Sequence, residues 1–66
     1  MNKARFELLK RVNYIARRNC WKVSFAICLE VHKRICTKGI VVFNTGKEHK
    51  AYIYMSTGED WALIGI

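Results

Sequence analysis

A chain of 66 residues with a net charge of +7, 52% hydrophobic residues and no proline is a small basic body. A chain this short buries only about 60% of its unfolded surface, so its stability margin is thin and part of its apolar content must stay outside. No apolar run approaches the roughly 20 residues that a membrane span needs. Met1-Asn2-Lys3 leads straight into a charged amphipathic segment rather than an export signal, so a cytoplasmic protein with reduced Cys20, Cys28 and Cys36 is expected.

The basic charge is uneven. Residues 1–38 hold ten Lys and Arg against Glu7 and Glu30, whereas residues 39–66 hold two Lys against three acids. Acidic partners are therefore drawn to the first half.

Residues 3–18 have a helical period. Ala4, Leu8, Leu9, Val12, Ile15 and Ala16 make one apolar stripe, with Phe6 at its border. Lys3, Lys10 and Arg17 recur every seven residues on the other side, and Arg11, Tyr14 and Arg18 form a row beside them. Asn19 suits a left-handed helix terminator.

The next segment, Trp21 to Gly39, fits two periods. Trp21, Val23, Phe25, Ile27, Leu29 and Val31 alternate as in a strand, while Phe25, Cys28, Leu29, His32, Ile35 and Cys36 follow helical spacing. Ser24 as N-cap, Lys33, Arg34 and Lys38 near the C-terminal end, Gly39 as a stop and a Glu30–Arg34 pair together predict a helix over 24–38.

After Gly39 the residues are β-branched and aromatic, and strands are expected at 40–44, 49–55 and 61–66. Two Thr-Gly elements, at Thr45-Gly46 and Thr57-Gly58, separate them as turns. The expected fold is α+β, one domain over 1–66, with two N-terminal helices packed on one face of a three-stranded antiparallel meander, ααβββ. In this arrangement Ala51, Ile53 and Met55 face the helices, and Lys50, Tyr52 and Tyr54 face outward.

Most chemical motifs are excluded by spacing. A phosphate-cradling loop needs G-x-x-x-x-G-K-[ST] before a helix. Here Val41 stands at the first Gly, Glu48 at the hydroxyl, and a strand follows. Cys28, His32 and Cys36 at four-residue intervals lack the close Cys pairs of a zinc finger, so they read as core or interface, with no metal centre and no cofactor. No nucleophile has an acid and an oxyanion-building motif to serve it, which argues against an enzyme.

Binding surfaces remain. The basic helix face, Lys3, Lys10, Arg11, Tyr14, Arg17 and Arg18, lacks the compensating acids of an ordinary mixed surface and suits phosphates, with Lys33 and Arg34 as further contacts. Lys50, Tyr52 and Tyr54 could stack unpaired bases on an open sheet face. The terminal strand, with Trp61, Leu63, Ile64 and Ile66, lies at a sheet edge and suits pairing into a homodimer.

Trp21-Lys22-Val23-Ser24-Phe25-Ala26, with Leu29 and Lys33, followed by Gly39-Ile40-Val41-Val42-Phe43, resembles segments of small accessory proteins of bacteriophages and mobile elements. Those carry a W-(x)-S-F-x-x-A-L stretch on a helix before short strands. The resemblance implies an accessory role, binding nucleic acid or a host protein. The expected function is thus a small non-enzymatic protein that contacts DNA or RNA through the basic helix as a dimer. The alternative is a phage-type inhibitor that blocks a host protein of defence, transcription or replication.

Overall fold

The computed structural model describes residues 2–57 and 59–66. The chain is α+β, with one helix, α1 (Asn2–Arg18), followed by four strands: β1 (Lys22–His32), β2 (Ile35–Asn44), β3 (His49–Thr57) and β4 (Asp60–Gly65). The strands form one antiparallel sheet in the order β1-β2-β3-β4, a meander in which each pairs with its sequence neighbour.

The expected helix over 24–38 is corrected: the segment is a strand, a hairpin turn and the first part of another strand. The strand prevails through backbone pairing, since Ile27 and Val31 stay exposed in it. Ile27 and Val31 lie off the helical stripe, whereas in the sheet the backbone of β1 pairs along β2 from Lys22 to His32. The W-x-x-S-F segment is correspondingly on a strand and not on the helix its resemblance implies. Register shifts at Ser24 and Leu29 show that Ser24, instead of capping a helix, sits at an irregularity of β1. Glu30 is register partner to Lys38 across the strands, in place of the expected helical pair with Arg34. Gly39 is no stop either. It lies within β2 opposite Cys28, where a Cβ would stand 2.6 Å from the Ile27 carbonyl oxygen.

Helix α1 ends in a Schellman motif. Trp21 N–H donates to the Ala16 carbonyl (2.8 Å), Cys20 N–H to that of Arg17, and Cys20 holds the left-handed conformation at φ 59°. The expected terminator Asn19 precedes it and donates from Nδ2 to the Ile15 carbonyl.

The core is the apolar stripe of α1 laid on β1 and β2. Ala4, Leu8, Val12 and Ala16 pack with Cys36, Val41, Phe43 and Tyr54, all buried. Trp21 tilts on Phe43, Tyr52 meets Phe43 edge-on, and Trp61 stacks on Tyr54. Full burial of side chains such as Leu8 and Phe43 contributes about 1.5–3 kcal/mol each. Cys28 and Cys36 form a disulfide across β1 and β2, with Cα atoms 5.9 Å apart, which corrects the expectation of three reduced thiols. Cys20 is free and exposed.

The two sheet faces are the reverse of those expected. Tyr54 is 1% exposed and Tyr52 is half-buried, both on the helix side, while Ile53 and Met55 belong to the opposite face. Register with Val41 and Phe43 of β2 decides this, since they are buried against α1 and pair with Tyr52 and Lys50. On the helix-free face, register aligns Ile27, Ile40, Ile53 and Ile64, one from each strand. Among the described residues no helix is long and apolar enough to cross a membrane.

Candidate nucleic-acid interface

The face of α1 that points away from the sheet follows directly from its period. With Ala4, Leu8, Val12 and Ala16 buried, the row half a turn away is Lys3, Lys10 and Arg17. These recur every ~10.5 Å along the axis, close to three nucleotides of one strand of B-form DNA at about 3.4 Å each. Phe6 and Tyr14 flank the row and are 60% and 55% exposed. Lys10 Nζ lies 5.6 Å from the Phe6 ring centroid, and the Arg18 guanidinium lies 5.6 Å from that of Tyr14. Arg18 also donates to the Tyr14 hydroxyl at 2.9 Å. Phe6, Leu9, Lys10, Asn13, Tyr14 and Arg17 line a shallow concavity on this face. Cations and exposed rings thus alternate along one helix side.

One shoulder of the helix meets the β1–β2 hairpin. Lys33 and Arg34 form its two-residue turn with φ of 50° and 69°, both left-handed. That is the primed turn favoured in tight hairpins, yet it usually carries Asn-Gly or Asp-Gly. Each non-glycine residue there costs about 1 kcal/mol or more. The turn brings Lys33 and Arg34 to a second concavity lined also by Lys3, Phe6, Glu7 and Arg11. Residues thirty apart in sequence thereby extend the helical cation row.

Arg11 has a different place from the one expected. It is half-buried, donates from a guanidinium nitrogen to the Tyr54 hydroxyl (3.3 Å) and lies 5.9 Å from the Trp61 ring centroid. It ties α1 to β3 and β4 while also lining the concavity beside Lys33 and Arg34. Lys50, Tyr52 and Tyr54 are likewise corrected as an open stacking face. They share the helix-packed side, with Tyr54 in the core and Lys50 Nζ 5.1 Å from the Trp21 ring centroid.

The terminal strand lies at the sheet edge, but its residues divide between faces. Trp61 and Leu63 are half-buried on the helix side, whereas Ile64 belongs to the open face; Ile66, beyond β4, is 80% exposed.

The Thr45-Gly46 element is a closed turn. Asn44 Oδ1 accepts from Gly46 N–H (2.9 Å), and Thr45 Oγ1 accepts from the N–H groups of Lys47 and Glu48. Those N–H groups are already used, so they form no phosphate cradle. The second element joins Thr57 to Asp60, which are register partners, and Gly58 lies outside the described residues. Cys28 and Cys36 are bonded to each other and offer no thiolate pair with His32, which is exposed at the end of β1.

Two members of the surface escape a reading by charge alone. Phe6 reads as the border of the apolar stripe, yet it stands outside the core beside Lys10. Its position next to the cation row is the signal that identifies it. Trp61, assigned to an edge interface, borders a shallow recess with Glu7, Lys10, Arg11 and Tyr14. No family model, curated protein or solved structure matches this chain.

Proposed function

We propose that this protein binds nucleic acid along the outer face of α1 and the β1–β2 turn. Lys3, Lys10, Arg17, Arg18, Lys33 and Arg34 neutralise phosphates, and Phe6 and Tyr14 stack on unpaired bases. The observation that carries the reading is the pair of exposed rings set among cations on one helix face, with Glu7 at its shoulder as the one acid of the helix. Rings with cations fit a single strand better than a duplex, because every unpaired base offers a face for stacking.

The test is fluorescence anisotropy with labelled single-stranded and duplex oligonucleotides across a salt series. Each neutralised phosphate adds roughly 0.7 to the log–log salt slope for single strands. The six cations therefore predict a slope of about −4 on a single strand. Lys10→Glu with Arg17→Glu should weaken binding by at least about tenfold, and Phe6→Ala and Tyr14→Ala by about 1 kcal/mol or more each on single strands. Absent or salt-independent binding removes the proposal. If the chain instead retains a defined protein after nuclease treatment, the inhibitor of a host protein takes its place.

A further inference from the structure

Packing of one helix on one sheet face leaves the other face uncovered, and that face is the more uniformly aliphatic of the two. Ile27, Ile40, Ile53 and Ile64 cross all four strands in register. Phe25, Val42 and Ala51 make a parallel row on one side; on the other, Met55 and Ala62 continue a row that begins with the facing pair Glu30 and Lys38. Phe25, Ile27, Met55 and Ile64 are between 41% and 51% exposed. We infer that two copies of this chain pack face to face through the Ile27–Ile40–Ile53–Ile64 row, giving a four-layer dimer with α1 outermost on each side.

Charge placement favours a second copy as occupant. Of the twelve Lys and Arg, Lys22 and Lys38 fall on this face by register: Lys22 lies at its end, and Lys38 stands in the row beside the isoleucines, where Glu30 is its register partner. The excess positive charge of the chain lies in residues 1–38, so two copies repel each other most across the basic face of α1. The face is also charge-complementary to itself. Lys22 stands at one end of β1 and Glu30 near the other, so a two-fold axis running across the strands sets Lys22 of one copy near Glu30 of the second. Twisted sheets pack in this way at about −30° and ~10 Å apart. The basic faces of α1 then lie well beyond the Debye length of roughly 8 Å at physiological salt.

Area agrees with a reversible dimer. Four strands about 4.8 Å apart and some six residues long give a footprint of roughly 400 Å². Protruding side chains raise the surface removed by pairing to on the order of 1,100 Å² in total, which clears the roughly 1,000 Å² floor of a biological interface and stays below the roughly 1,200 Å² of stable ones, as suits a reversible dimer.

Sedimentation equilibrium of the full chain, from low micromolar to near-millimolar and at two salt concentrations, tests the inference. The expected result is a monomer–dimer equilibrium that changes little with salt, unlike nucleic-acid binding. Ile27→Lys and Ile64→Lys should each raise the dissociation constant at least tenfold with unchanged circular dichroism. Glu30→Lys should weaken the dimer, and Lys22→Glu in the same chain should restore it, a readout independent of any folding defect in the isoleucine variants. A monomer at every concentration overturns the inference. So does a dimer sensitive to Ile64→Lys but not to Ile27→Lys, which would mean edge pairing through β4. Binding of neutral lipid vesicles by a monomeric chain would overturn it as well.

Discussion

At the β1–β2 turn, two long cationic side chains hold backbone conformations that glycine and asparagine adopt more cheaply. Strain of this kind persists where the surroundings hold it in place, and here it aims Lys33 and Arg34 at the cation row of α1. The double substitution Lys33→Asn and Arg34→Gly separates the two effects. It should stabilise the fold by about 1–2 kcal/mol in denaturant titration, because the turn then suits its residues. The same variant should bind oligonucleotides more weakly and with a salt slope shallower by about 1.4 on single strands. Gly39 shows the opposite constraint. A methyl group there meets a carbonyl oxygen of β1, backbone that cannot swing aside. Gly39→Ala should therefore cost about 1–3 kcal/mol in the same titration, with β1 and β2 forced apart.

Among the elements, α1 was the most legible in the sequence, because a 3.6-residue period over seventeen residues has no competing interpretation. The strands after Gly39 were legible for a related reason, with β-branched residues bounded by turn chemistry. β1 was not. Its eleven residues satisfy both periods, and three register shifts in its pairing with β2 break the alternation that would have distinguished them. Face assignment failed separately: Ala51, Ile53 and Met55 are the more hydrophobic set, yet register with β2 turns Tyr54 into the core, where Arg11 satisfies its hydroxyl. That long-range contact leaves no local trace. Of the candidate site, the cation row on α1 was visible, whereas the approach of Lys33 and Arg34 required the hairpin. The Cys28–Cys36 bridge closes this same hairpin. Replacing both cysteines by Ser should lower stability by about 2–3 kcal/mol, as expected for a closed loop of about nine residues. Reductant should have a comparable effect on the unaltered chain and none on the double variant.

For the whole molecule, a meander with one covering helix is a short-range design, in which every strand finds its neighbour through the next turn. Among the described residues its core is correspondingly thin: four helical residues meet four from the sheet. Hydrophobic stabilisation grows with area buried, so an uncovered aliphatic face leaves a large part of it unused in a single copy. If the face is covered by a second copy, thermal unfolding should shift upward with protein concentration, a shift that scanning calorimetry at two concentrations measures. The Ile27→Lys variant should show no such dependence.

The one-sided placement of α1 also bears on geometry at a larger scale. In a back-to-back pair the two basic helices sit on opposite outer surfaces, separated by three layer spacings of about 10 Å each. They point in opposite directions, so a single bound strand lying along one cannot also lie along the other. Such a particle would have two independent docking sites and act as a coupling between separate strands, or between distant parts of one. Its natural product is a network whose extent depends on the ratio of protein to nucleic acid, largest near equivalence and dissolving when either is in excess.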